Sequence, residues 1–196
     1  PYTTLFRSMG KSYIFGSSVA AELGKRLPVT ALIAIICCVA QTIIGIPVGV
    51  AAAVHQNSFL DRLVIFLAML GQSLPQFWVA LTLVIVFSLR LRWLPAFGID
   101  SWKGYIMPCV AIVIAGFSMI ARQTRSQMLE VIRSDFVVTA RAKGIPERTI
   151  RYKYALPNAL ITVITGIGTH FGRALGGTVV VETIFSIPGV GMYLVD

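Results

Sequence analysis

The residue types that most often carry covalent chemistry are sparse in this sequence. It holds two histidines, His55 and His170, and neither has a nucleophile or a ligand partner at a usable spacing. The triplet Gly10-Lys11-Ser12 matches the end of a phosphate-binding loop, but Leu5 occupies the position of that loop's first glycine and no strand precedes it. Three cysteines lie inside apolar runs, which favours small buried side chains over a metal site or a disulfide: Cys37, Cys38 and Cys109. We therefore expect no catalytic residue, no bound cofactor and no metal.

Polar side chains inside apolar runs are the next candidates for a function. Gln72, Ser73 and Gln76 lie in a proline-containing segment in the middle of a long apolar run. In a membrane such groups must face protein or a water-filled cavity. Two interpretations stay open for them, the lining of a translocation path and hydrogen bonds between helices. Arg173 and Glu182 are the only charges between residues 154 and 195; Glu182 is a further path candidate, although an ion pair or subunit contact is favoured for both.

A polar stretch from Ser134 to Pro157 carries the clearest signals for the starts and ends of helices. Ser134 or Asp135 can cap a helix start, because their side-chain oxygens accept the free N–H groups of a first turn. Gly144 suits the left-handed residue just past a helix end. Pro146 suits the first position of a second helix. The sequence thus predicts two short helices joined at Gly144.

The first of these helices is predicted to be amphipathic. Phe136, Val137 and Ala140 fall on one face at helical spacing, whereas Arg141 and Lys143 lie off that face. We interpret the segment as a small projection by which a soluble partner drives a membrane protein.

The composition places the chain in a membrane. Of its 196 residues 56% are hydrophobic and only 13% are charged, with a mean hydropathy of +0.80. The fold class expected is all-α, a polytopic membrane protein with about four spans and a broken C-terminal segment. The predicted spans cover residues 28–54, 63–89, 106–121 and 154–172. Within the first span, Gly45 and Gly49 form a face of small residues that suits close helix packing.

The formal charge of +9 is explained by topology rather than by nucleic acid. Residues 122–153 hold eight basic and three acidic residues. One charge at the bilayer centre costs about 2.5–3.5 kcal/mol, so this loop must lie in water. Its basic excess predicts a cytoplasmic position, with residues 55–62 on the same side and residues 90–105 outside.

Both ends of the chain point to a fragment. Residues 1–8 match one reading frame of a sequencing-adapter oligonucleotide, so we expect them to be foreign to the natural protein. The chain begins without methionine and stops at Asp196. We expect a longer protein, with one more span at each end of residues 9–196.

The 135–157 segment resembles the "EAA loop" of ABC-importer permeases, whose pattern is Glu-Ala-Ala, three residues, Gly, nine residues, Ile-x-Leu-Pro. Gly144 takes the glycine, and Tyr154-Ala155-Leu156-Pro157 takes the end, with tyrosine for isoleucine. Val138 and Thr139 depart from Glu-Ala, whereas Ala140 matches. The run from Asp135 to Gly144 is similar to the variant used by the dipeptide/oligopeptide/nickel permease family. Further stretches similar to that family follow in the same order: Glu22–Pro28, Gly45–Gly49, Leu70–Pro75, Trp93–Pro95, Met128–Glu130 and Val181–Phe185 with Pro188-Gly189.

The resemblance implies a type I importer transmembrane domain in the plasma membrane of a bacterium or archaeon. Its partners would be a second permease subunit, two cytoplasmic ATPases that use the ATP, and an external solute-binding protein. The residues implied in coupling to the ATPase are Asp135, Phe136, Thr139, Ala140, Arg141, Ala142, Lys143, Gly144, Leu156 and Pro157.

Two rival functions stay open at this point. A secondary transporter or channel would need no ATPase, and a membrane scaffold would import nothing. The cargo is not readable from the residues; small peptides lead, ahead of nickel chelates, glutathione-like compounds and sugars.

Overall fold

The computed structural model describes residue 10 and residues 18–195, so the stretch 1–8 predicted to be foreign lies outside the described residues. Every regular element in the described part is helical, which confirms the predicted all-α class. The helices are α1 Val19–Val54, α2 Phe59–Ser73, α3 Gln76–Leu83, α4 Ile106–Ile132, α5 Asp135–Ala142, α6 Glu147–Thr149, α7 Leu156–Gly177, α8 Val179–Ile184 and α9 Val190–Tyr193. Three further helical segments are not α-helical. Val84–Arg90 and Ile150–Ala155 are π-helical, which is wider than an α-helix, and Trp102–Tyr105 is a tighter 3₁₀ helix.

Helix α1 begins well before the predicted start at residue 28. Its first turns carry Glu22, which pairs with Lys25 at 3.4 Å and with Arg26 at 3.8 Å. Pairs at these spacings support a helix in water, so the helix extends beyond the apolar run. Both Pro28 and Pro47 lie inside the 36-residue helix.

The predicted span 63–89 is broken within its proline-containing segment, and its crossing of the membrane as one span stays a prediction. Helix α2 ends at Ser73, and the segment Gln76–Arg90 leaves at an angle of 93° to it. Leu74 and Pro75 are both extended, with ψ angles of 124° and 132°. Proline lacks an N–H and disfavours helical geometry in the residue before it, so the break falls at these two residues.

The helix that contains the predicted third span, 106–121, is longer than that span. Helix α4 runs on to Ile132 and includes eleven residues that were assigned to the polar loop. A helix does not end where the apolar run ends, because water does not disrupt a helix whose neighbours still pack against it. Met128 is fully buried in this extension, in a cluster with Val50 and Ala159.

Helix α4 lies at the centre of the bundle and packs against α1, α2, α3 and α7. The predicted small-residue face of α1 makes the closest approach. A Cβ on Gly45 would lie 2.8 Å from Ile120 Cγ2, and one on Gly49 would clash with the Ala121 carbonyl. Glycine therefore permits the α1–α4 contact, as expected for helices in lipid.

Within the described residues, two helical stretches are long and apolar enough to cross a membrane, Val19–Val54 and Trp102–Ile132. The bent pair makes a third if it counts as one span. The predicted fourth span corresponds to α7, which is 22 residues long but is not one of these stretches. Its crossing of the membrane stays a prediction.

Candidate functional site

The turn at Gly144 has the geometry that its sequence predicts. Gly144 has φ +73°, in the left-handed region. Its N–H donates to the Arg141 carbonyl at 2.9 Å, and the Ile145 N–H donates to the Ala140 carbonyl at 3.2 Å. These two bonds form a Schellman motif, which satisfies carbonyls at the end of α5. Ile145 also packs against the apolar cluster that contains Ala140, so the turn has apolar contacts as well.

Two local details of this segment differ from the prediction. The Ser134 hydroxyl does not cap α5; it donates to the Val131 carbonyl at 2.6 Å. Pro146 is extended, with ψ 137°, and precedes the helix that begins at Glu147. Both residues still mark helix boundaries, but from just outside the helix that each was expected to begin.

The buried face of α5 is narrower than predicted. Val137 and Ala140 pack against Ile150 in a small cluster, whereas Phe136 is 43% exposed. Successive residues on a helix are about 100° apart, so Phe136 and Val137 cannot both point into one narrow contact. Phe136 instead lines an open depression of about 380 Å³ with Thr139, Ala140, Lys143, Ile145 and Tyr154.

Charged side chains brace the turn from outside. Arg141 Nε lies 2.6 Å from Glu147 Oε1, and Arg151 Nε lies 3.5 Å from Glu147 Oε2. The Arg141 guanidinium lowers the pKa of the Glu147 carboxyl below its usual range. The pairs are exposed, so they orient the turn more than they stabilise it.

The remaining predicted coupling residues divide between surface and interior. Ala142 and Pro157 are exposed, and Leu156 packs against the cluster that contains Met128 and Ala159. The π-helical turn Ile150–Ala155 ends two residues before Pro157. A wider turn relieves the contact between a proline ring and the preceding carbonyls, so the helix passes through Pro157 without a break.

The three polar path candidates lie at the break between α2 and α3, and one of them, Gln76, lines a cavity. Gln72 and Ser73 are exposed, and the Ser73 hydroxyl donates to the Met69 carbonyl at 2.8 Å. Gln76 lines a cavity of about 300 Å³ between α3, α4 and α7. The cavity's other lining residues are Ile112, Ala115, Gly116, His170, Ala174 and Thr178.

Glu182 lies in the interior rather than on an accessible surface. Its side chain is fully buried and accepts hydrogen bonds from the hydroxyls of Thr30 and Thr178, at 2.8 Å and 2.7 Å. The N–H groups of Gly191 and Met192 donate to its other oxygen at 2.6 Å and 3.2 Å. Glu182 thus joins α8, α9 and α1 in this conformation. An ion pair or subunit contact was expected for Arg173 as well, but its side chain lies outside the described part.

Sequence reasoning missed the ion pair between Asp61 and Arg125. Arg125 donates through Nη2 to Asp61 Oδ2 at 2.8 Å and through Nε to Oδ1 at 2.5 Å. The residues are 64 positions apart, in two segments that were each assigned to polar loops. Their shared placement on one side of the membrane was the only signal that could have linked them.

A metal centre would need several ligands in one place. Within residue 10 and residues 18–195, no group of three or more histidine, cysteine, aspartate or glutamate side chains is placed to hold a metal ion. The arrangement offers instead a shaped projection at one end of the bundle and, at a helix break, a cavity with some polar lining residues.

The sequence matches a known protein family and several individual proteins. Residues 45–196 match the family described as binding-protein-dependent transport system inner membrane component. The glutathione transport system permease protein GsiC of Salmonella typhimurium (strain LT2) is 41% identical over 187 residues, which are 95% of this chain and 61% of that protein. GsiC of Escherichia coli (strain K12) matches to the same extent. GsiC of Escherichia coli O6:H1 is 40% identical over 188 residues, 96% of this chain and 61% of that protein.

The chain spans about three fifths of the length of these relatives. The family match covers most of the chain and includes both the 135–157 segment and the cavity at the helix break. Proteins of this family are transport permeases and not enzymes. The chain belongs to the family of binding-protein-dependent transport system inner membrane components.

Proposed function

We propose that this chain is part of the permease subunit of an ABC importer, and that its 135–157 segment couples solute movement to a cytoplasmic ATPase. One observation carries the proposal. The segment is a rigid turn, closed at Gly144, that leaves Phe136 and Thr139 exposed beside a depression. An exposed aromatic side chain next to a concave surface suits a protein partner, because aromatic anchors dominate protein interfaces.

The partners that this proposal requires follow from the family. They are a second permease subunit, two ATPase subunits that bind and hydrolyse the ATP, and a solute-binding protein. ATP binding would bring the ATPases together and move the two permeases between inward- and outward-facing states. The chain itself then needs no cofactor.

We place the 135–157 segment and residues 122–134 on the cytoplasmic side of the plasma membrane. The basic excess of this region supports that orientation. The Asp61–Arg125 ion pair ties the 55–62 turn to the same end of the bundle, in agreement with the predicted topology.

For the cargo we propose a small peptide of the size of glutathione. The relatives are named for glutathione transport. Such a solute carries amide and charged groups that would need polar contacts on its way, and Gln76 supplies one at the cavity.

The test uses the full-length protein, expressed from its genomic locus with its neighbouring genes. We expect purification in mild detergent to recover an ATPase and a second permease, and vesicles with the complex to import labelled glutathione or a dipeptide. Deletion of residues 135–143 should abolish ATPase recovery. A permease that imports solute without any ATPase would identify a secondary transporter instead. A protein whose removal changes no uptake would be a scaffold.

Gly144 offers a matched pair of variants. A Cβ at Gly144 would meet no atom within 4 Å, so any effect of a side chain there comes from the backbone conformation. The left-handed conformation costs an ordinary residue about 1–2 kcal/mol, whereas asparagine tolerates it better. We expect Gly144→Val to insert normally in the membrane but to lose at least tenfold in uptake, and Gly144→Asn to retain most of it. Equal uptake by Gly144→Val and wild type would contradict the proposed coupling.

A further inference from the structure

The ion pair between Asp61 and Arg125 differs from the other ion pairs of the described residues. Those pairs are local, with partners no more than six positions apart, and they are partly exposed. The Asp61 side chain is 2% exposed, and its partner is 64 positions away on another helix. It also accepts the Asn57 N–H at 2.9 Å, so both of its oxygens are occupied. This is a built contact between α2 and α4.

Arg125 lies on the helix that leads into the proposed coupling segment. Helix α4 ends at Ile132, and α5 begins at Asp135. The two residues between them are held by backbone bonds, from Arg133 N–H to the Glu130 carbonyl at 3.2 Å and from Ser134 N–H to the Val131 carbonyl at 3.1 Å. The junction has no free linker. A displacement of α5 must therefore displace the end of α4 that carries Arg125.

Asp61 lies on the helix that leads to the cavity. It sits in the first turn of α2, and α2 ends at the break beside the cavity-lining residue Gln76. Near that break α2 touches α4 again, because a Cβ on Gly71 would clash with the Ser118 hydroxyl. Helix α2 is thus fastened to α4 at both of its ends, by charge at one and by close packing at the other.

The chemistry of the pair suits the transmission of a movement. Two parallel N–H···O bonds between a guanidinium and a carboxylate fix orientation as well as distance. Apolar side chains in contact can slide or exchange rotamers. In a bidentate ion pair, one residue must move with the other or the hydrogen bonds break. A second and longer contact, Arg133 Nη2 to Gln56 Oε1 at 3.5 Å, joins the same two regions.

We propose that Asp61 and Arg125 are positioning residues that transmit the movement of the 135–157 segment to the bent α2–α3 pair. This inference rests on the proposed function, since it assumes that an ATPase moves the segment. The pair touches neither solute nor nucleotide. Loss of the ion pair therefore leaves the binding of solute and of nucleotide intact. It lowers the amount of solute moved for each ATP hydrolysed.

The experiment measures that ratio in proteoliposomes containing the complete complex with its binding protein. The first variant is the double substitution Asp61→Asn with Arg125→Gln, which removes the ion pair without leaving a buried charge unpaired. The second is Arg125→Lys, which keeps the charge but loses the planar two-donor fork. The control is Glu22→Gln, which removes ion pairs of α1 away from both the cavity and the 135–157 segment.

We expect the double variant to assemble at wild-type yield and to hydrolyse at least five times more ATP for each solute imported. Arg125→Lys should give an intermediate ratio, and Glu22→Gln the wild-type ratio. The inference would be overturned if the double variant and Arg125→Lys assemble and each hydrolyses ATP for each solute imported at a ratio within twofold of wild type. Failure of both variants to assemble would also overturn it, because the pair would then serve folding. A wild-type complex without ATP-driven import would instead refute the proposed function itself.

Discussion

The 135–157 segment and the C-terminal segment 178–193 are both short helices interrupted at glycine, yet they are built in opposite ways. The first is closed by contacts between near neighbours, such as Ala140 with Ile145, and it leaves Phe136 43% exposed. The second is closed around the buried carboxylate of Glu182, and its Phe185 is 2% exposed. Local contacts and exposed apolar area are typical of a surface that binds a protein partner. Long-range buried contacts are typical of a rigid part of the fold.

A buried charge in a membrane protein can line the translocation path or hold together the structure behind it. Glu182 was a candidate for the translocation path because an ionisable residue in a membrane is a functional candidate. In the structure its four hydrogen bonds hold α8 and α9 onto α1, directly behind the cavity-lining residue Thr178. Glu182 can therefore shape the cavity without touching what passes through it.

The largest expected effect is the loss of the Glu182 carboxylate. Glu182→Ala leaves two hydroxyls and two backbone N–H groups without an acceptor, at about 1–3 kcal/mol for each buried unpaired group. We expect a destabilisation of at least about 4 kcal/mol, measured by thermal unfolding of the full-length permease in detergent. Thr30→Val removes one donor to Glu182 and the acceptor of the Val190 N–H, and should cost about 1–3 kcal/mol. Equal stability of Glu182→Ala and wild type would show that the segment does not depend on this carboxylate.

The two phenylalanines give a matched test of the next largest effect. Phe185→Ala empties a buried site and should cost about 3 kcal/mol, because its surroundings collapse only in part. Phe136→Ala removes an exposed side chain and should change stability by less than about 0.5 kcal/mol. Phe136→Ala should nevertheless reduce ATPase recovery in the pull-down at least fivefold. If Phe136→Ala unfolds the protein while Phe185→Ala does not, the assignment of the two surfaces is reversed.

The predictability of each region follows from the range of its contacts. The turn at Gly144 is encoded within six residues, from Ala140 to Ile145, so local rules place it correctly. The break at Pro75 is likewise local, but its 93° angle depends on packing against α4. Helix α4 ends eleven residues beyond the predicted span, because hydropathy marks the edge of the apolar run and not the end of the helix.

Contacts between distant residues had no comparable signal in one sequence. Thr30 and Glu182 are 152 positions apart, and Asp61 and Arg125 are 64 apart. Many pairings of a charged or hydroxyl residue would have been equally consistent with the apolar pattern. The buried polar contacts that fix the bundle are therefore the part that only three-dimensional placement reveals.

The smallest expected effect concerns the exposed charges around the turn, and it depends on pH. The Arg141 guanidinium holds the pKa of Glu147 below the value of an unfolded chain, which is about 4.3 for glutamate. A carboxyl with a lowered folded pKa contributes stability above the unfolded pKa and loses it as pH falls through the folded pKa. Hydrogen-exchange protection factors of the amides of residues 145 and 147–149, corrected for intrinsic rates, should thus hold steady down to about pH 4 and fall below it. Glu147→Gln should remove that step and leave the Gly144 turn formed, since the turn rests on backbone bonds and on the packing of Ile145 against the apolar cluster. A step that survives in Glu147→Gln would assign the pH dependence to another carboxyl, and the turn would then owe nothing to its exposed ion pair.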